Sequence, residues 1–250
     1  MNTTSIAQAD TLGSASGRLP GLRTERLFFS GMAIAMTLVV FAGFAPSYYL
    51  KFQFGAPPEL SALLHWHGVA FSLWMVLLVV QTSMIATGQV ALHRRFGTAG
   101  VVLAACMMLL GGAVAITRAQ QGILGPPGIP SLVFLAIPLA TLIVFPALFG
   151  TAIYFRRRAD FHKRLILLAT MEVITAAVAR LPGIVSAGPL AFFGMTDCFI
   201  LALAVYDYRT RGRVHPATLW GGLFLIASQP LRLIISGTQA WQAFASWIAG

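Results

Sequence analysis

Two short motifs carry the residue types best suited to chemistry: His93-Arg94-Arg95-Phe96 and His162-Lys163-Arg164-Leu165. In each, a histidine and two basic residues open a long apolar run. Imidazole is a common metal and haem ligand, and cations beside it can hold anionic groups. Two histidines at matching depth on different helices are what bis-histidine ligation of one haem b requires. Arg94, Arg95, Lys163 and Arg164 would then be available to the propionates. The plain alternative is two solvated interfacial histidines in basic loops. Both lie a few positions ahead of their apolar runs, which is shallow for a haem embedded in a bundle.

The remaining histidines are less suggestive. His65 and His67 are two apart, so on a helix they point about 200° away from each other and cannot share a metal. His67 can face the bundle while His65 faces the surface. His215 precedes Pro216 in a short basic segment and reads as exposed. Several enzyme classes fall away. Five scattered histidines are too few for a membrane di-iron site. There is no His-Glu-x-x-His metal motif, no phosphate-binding loop and no Gly-x-Ser-x-Gly nucleophile elbow. The last apolar run lacks the lysine that a retinal Schiff base needs.

The elements that must position these residues follow from composition. Hydrophobic residues make up 58% of the 250 and charged residues 10%, well below the share in a soluble domain. The chain is therefore solvated largely by lipid. Residues 1–20 read as a polar, disordered cytoplasmic tail, and 21–250 as one transmembrane domain. Apolar runs fall at about 27–48, 60–86, 97–117, 131–155, 164–186, 189–207 and 217–237. Each is long enough to cross a bilayer as a helix. The first reads as an uncleaved signal anchor. Gly55-Ala56-Pro57-Pro58 and Gly125-Pro126-Pro127-Gly128 are turn signals, Pro182 and Pro230 should kink or end their helices, and Trp241 and Trp247 suit an interfacial tail.

Charge placement supports this count. With the N-terminus inside, the inner segments hold Arg18, Arg23, Arg26, Arg94, Arg95, Arg156, Arg157, Arg158, Lys163, Arg164, Arg209, Arg211 and Arg213. The outer ones hold only Lys51 and Arg118. The expectation is an all-α bundle of seven helices, N-in and C-out, in a bacterial inner membrane. The net charge of +10 is spent on this topology. Anionic lipid headgroups are then the natural partner, and nucleic acid is not. Cys106 and Cys198 lie in apolar runs and read as core thiols.

Ionisable residues inside a membrane are candidate functional residues, because charge there is costly. Glu172, Arg180, Asp197 and Arg232 qualify. At about 1.5 Å per residue, Glu172 falls in the inner half of its span. Arg180, Asp197 and Arg232 can share an outer layer with His67 and Gln229. That layer reads either as a pocket for a lipid head or quinone, or as Asp197 neutralising one arginine while the other snorkels. Glu172 has no obvious cationic partner at its depth. A proton-relay residue and a neutral glutamic acid bonded to a neighbour such as Gln81 are both open.

His65-Trp66-His67-Gly68, Trp74, Gln81, His93-Arg94-Arg95-Phe96-Gly97 and Asp160-Phe161-His162-Lys163-Arg164-Leu165 with Arg180 together resemble a group of uncharacterised bacterial polytopic membrane proteins. The likeness covers spans two to five. More distantly, the pattern is similar to cytochrome b561-like bundles. That resemblance implies haem b and transmembrane electron transfer. Such bundles pair histidines on both sides of the membrane, and here the outer pair is incomplete. Two functions stand side by side. One is a haem- or quinone-interacting electron-transfer protein with His93 and His162 as ligands. The other is a non-redox membrane protein: a small transporter, a lipid-binding protein or an assembly partner.

Overall fold

A computed structural model describes residues 21–55 and 59–250. The expected tail at 1–20 and part of the first turn signal lie outside these residues. The described chain is helical, without strands: α1 (Leu22–Phe44), α2 (Ala62–Ala86), α3 (Val90–Gln120), a short α4 (Ser131–Phe134) running into α5 (Ala136–Tyr154), α6 (Ala159–Val178), α7 (Pro189–Arg211), α8 (Pro216–Ser236) and α9 (Gln239–Ala249). Six helical stretches are long and apolar enough to cross a membrane, which makes this a multi-pass membrane protein. The long helix outside that set is α6, whose sequence carries more charge.

Local chemistry explains most boundaries. Ser61 caps α2 by accepting from Leu64 N, and Thr238 caps α9 by accepting from Trp241 N. Pro189 opens α7, and Gly212, at φ +71°, closes it. α1 ends in a π-helical turn over Ala45–Tyr49 that contains Pro46. α6 stops at Val178, short of the expected 186, ahead of Pro182 and of Gly183 at φ +78°. Pro230, by contrast, sits inside α8 without ending it. α3 starts well before the expected 97, so its 31 residues include His93 within the first turn. The final segment is an ordered helix and not a loose tail. α9 folds back so that Trp241 Nε1 donates to the Leu132 carbonyl at 2.8 Å.

The arrangement centres on α6, which packs against α1, α5, α7 and α8 and is buried almost continuously from Arg164 to Val178. The tightest pairings are the hairpins α2–α3 and α5–α6. Trp74 of α2 bridges them, donating to Thr170 Oγ1 of α6 at 3.3 Å and packing edge-on against Phe145 and Phe149 of α5. Glycines make the close approaches within the chain. Gly43 of α1 lies against the Ala177 carbonyl of α6, leaving no room for a Cβ, and Gly221 of α8 lies against Leu168. The cysteines are not core thiols: Cys106 and Cys198 are both exposed on the bundle exterior.

Candidate functional site

His93 and His162 are the fourth residues of α3 and α6, inside the helices and not in loops ahead of them. Both are half-buried. Their rings face each other at 6.2 Å between centroids, nearly perpendicular at 83°. Each ring is held through its Nδ1 edge. His162 Nδ1 lies 2.9 Å from the Ala152 carbonyl of α5, and His93 Nδ1 meets the side-chain amide of Gln81 of α2. Metal–imidazole bonds of about 2.0–2.1 Å would set two opposed axial rings about 6 Å apart. The separation found is of that size. Among the described residues no cluster of three or more His, Cys, Asp or Glu side chains gathers as a metal site, so any such ligation rests on this pair.

The basic neighbours divide. Arg94 and Arg95 are exposed. Lys163 and Arg164 are already committed and cannot serve as anion holders, contrary to expectation. Lys163 Nζ pairs with Glu25 at 2.7 Å and Asp160 at 3.2 Å. Arg164, 1% exposed, enters the interior instead, because α6 is surrounded on the side it faces. There it meets Asp207, which is fully buried. Arg164 Nε donates to Oδ1 at 2.9 Å, and a second guanidinium nitrogen makes an even closer contact. Asp207 Oδ2 accepts from the His215 backbone N–H at 3.2 Å and from Thr218 Oγ1 at 2.5 Å. This carboxylate thus ties α6, α7 and α8 together. Sequence reasoning passed over it because it ends the apolar run at 189–207 and sits among the basic residues of the next turn. Its signal is an acid two residues ahead of Arg209 and four ahead of Arg211.

His215 is not exposed but 5% accessible, beneath Phe161, with 4.6 Å between ring centroids. It caps α8: Nδ1 accepts from Ala217 N at 3.1 Å. An imidazole that accepts there is neutral. Burial, with the Arg164 and Arg211 guanidiniums beside it, lowers it from 6.5 to about 4, against the opposing pull of Asp207 and Asp160. The folded chain therefore binds this proton less readily than the unfolded one. Stability from this group is full above about 6.5 and is lost as pH falls towards 4. His215→Asn keeps an acceptor at the cap without the titration. It should flatten that part of a melting-temperature profile recorded between these pH values.

The expected outer layer resolves into separate parts. Arg232 pairs not with Asp197 but with Glu172, at 3.0 Å and 3.3 Å through two nitrogens. Both residues are 3% exposed. Thr141 Oγ1 donates to Glu172 at 2.7 Å, and Arg232 also donates to Ser228 Oγ at 2.7 Å. So Glu172 has a cationic partner, and the neutral neighbour that donates to it is the Thr141 hydroxyl, not the Gln81 amide. The reason lies in helix geometry. Side chains lean towards the helix N-terminus, so Arg232, near the end of α8, reaches back along it. Because α6 ends early, Glu172 also sits nearer that end than a span to 186 would place it. Asp197 accepts from Gln229 Nε2 at 2.7 Å and neutralises no arginine among the described residues.

His67 and Arg180 join neither cluster. His67 faces inward beside Phe71, at 4.3 Å between centroids, and its Nδ1 is buried with no partner among the described residues. His65, as expected, is exposed. Arg180 lies beyond the end of α6, where it donates to the Ala176 carbonyl at 2.7 Å and covers the Phe44 ring at 4.6 Å.

In comparisons with protein-family models, curated proteins and solved structures, none matches this chain.

Proposed function

We propose that this chain is a seven-helix protein of a bacterial inner membrane, N-in and C-out, that holds a b-type haem between His93 and His162 and passes electrons to or from a membrane quinone. The facing of the two imidazoles, 6.2 Å apart and each anchored at Nδ1, carries this reading. Support for α6 as the seventh span comes from its charges. Arg164 and Glu172 are matched by Asp207 and Arg232, so α6 presents little net charge to its surroundings. The basic segments at 156–158 and 209–213 would face the cytoplasm together with the histidine pair.

In this reading His93 and His162 would hold the haem iron, and the exposed Arg94 and Arg95 would be the cations left for the propionates. Bound haem would supply one-electron chemistry. The protein fixes the ring orientations through the Ala152 carbonyl and Gln81. At the other end, His67, with its unpartnered Nδ1, and Arg180 are the groups open to a quinone carbonyl or a lipid headgroup.

The test is a reduced-minus-oxidised optical spectrum of the purified protein, expressed with ample haem. Soret and α bands are expected, and His93→Ala and His162→Ala should each remove them. Their absence from the wild-type protein rejects the haem reading. One observation favours the non-redox alternative, a small transporter, lipid-binding protein or assembly partner. The two deepest ion pairs are fully bonded and join helices, as structural groups would.

A further inference from the structure

Gln81 belongs to α2, yet its amide straddles the first turn of α3. With its nitrogen turned towards His93, it donates to the His93 carbonyl at 3.2 Å and to His93 Nδ1, while its oxygen accepts from Gly97 N at 2.9 Å. The reverse orientation sets oxygen against a carbonyl and an amide N–H against another N–H. Hydrogen bonding therefore selects the first. An N–H that donates to Nδ1 leaves neutral His93 with its proton on Nε2. His162 is the opposite case. Its Nδ1 faces the Ala152 carbonyl, which can only accept, so Nδ1 carries the proton and Nε2 a free lone pair. Of the two facing rings, one is ready to bind a metal and the other is not.

We propose that Gln81 is a positioning residue that sets the tautomer of His93 and so governs when the pair can take a metal. With its nitrogen turned towards His93, the amide keeps Nε2 of His93 protonated and closed to ligation. A half-turn of the amide puts its oxygen against Nδ1 and gives up the bonds with the His93 carbonyl and Gly97 N, a cost that ligation must offset. The His93 proton then moves from Nε2 to Nδ1 by exchange with water, with no net gain or loss. Nε2 is freed, and the Nδ1–H···O bond makes the ring a more basic ligand. This proposal rests on the reading of His93 and His162 as axial ligands.

The tautomer can be read without any haem. In the haem-free full chain, labelled with 15N-histidine in detergent micelles, nitrogen shifts are assigned by comparison with His93→Ala and His162→Ala. His93 is expected to carry its proton on Nε2 and His162 on Nδ1. Gln81→Glu, whose carboxylate only accepts, should move the His93 proton to Nδ1. Gln81→Leu, which also serves if Gln81→Glu does not fold, should give a mixture of tautomers. A His93 tautomer that does not respond to either change overturns the proposal. With haem bound, Gln81→Glu should lower the midpoint potential, and Gln81→Leu should weaken haem retention by about tenfold or more. Unchanged potential and retention also overturn it. If wild-type protein takes up no haem, the haem reading fails, while the nitrogen shifts still decide the role of Gln81.

Discussion

Asp207→Ala is expected to cost about 3–5 kcal/mol of unfolding free energy, the range for breaking a buried ion pair from one side. The substitution leaves the guanidinium of Arg164, which is 1% exposed, with only Asp160 as acceptor among the described residues, its carbonyl at 2.9 Å and its carboxylate at 3.9 Å. It also removes the acceptor for the His215 backbone N–H and the Thr218 hydroxyl. The turn between α7 and α8 should loosen at the same time, since Asp207 reaches across it. Thermal unfolding in detergent micelles measures the loss. The informative companion is Arg164→Met with Asp207→Leu, which replaces the pair by apolar groups. It should recover much of the stability, because the cost of Asp207→Ala comes from the uncompensated charge and unfilled donors. A double variant as unstable as Asp207→Ala would show that the carboxylate acts through the turn alone.

At Glu172 and Arg232 the two halves of a buried pair should not be equivalent. Glu172→Ala leaves Arg232 cationic, with Ser228 and the Phe193 ring as its remaining contacts, and should cost about 3–5 kcal/mol. Arg232→Met leaves a carboxylate that can take up a proton and become neutral, still able to bond Thr141 Oγ1. Its cost should be clearly smaller and should shrink further in acid, where the proton is readily supplied. Melting temperatures of both variants at neutral and acidic pH check this. Equal losses, with no relief for Arg232→Met in acid, would contradict it. A stabilising role of this size also bears on function, because a glutamate locked to arginine is poorly placed to relay protons.

The helices were legible because hydropathy is a property of consecutive residues. Six of the seven expected runs reappear as helices apolar enough to cross a membrane. The remaining one, α6, is also a helix, but it ends at Val178, four and five residues ahead of Pro182 and Gly183, where the apolar run alone gives no stop. The twin histidine motifs were legible as candidates, and so was the inward turn of His67 relative to His65. Their setting was less so. His215 looked exposed because it sits between Arg213 and Pro216, but the tight turn at Gly212 folds it beneath Phe161.

Partnership among polar side chains was not legible. Glu172 and Arg232 are separated by 60 residues, and Arg164 and Asp207 by 43. Depth along a span could place each in a layer but could not say which faces of which helices meet. That depends on α6 standing in the middle of the bundle, wrapped by α1, α5, α7 and α8. Residue types and spacing were enough for a lipid-solvated helical chain, with basic segments between its spans and two histidines at corresponding places. The packing of α6 then chose the ion pairs, drew Lys163 and Arg164 away from the histidines, and brought the His93 and His162 rings together edge to face. Apolar burial follows local composition, whereas a buried charge is settled only by the groups that three-dimensional packing sets against it.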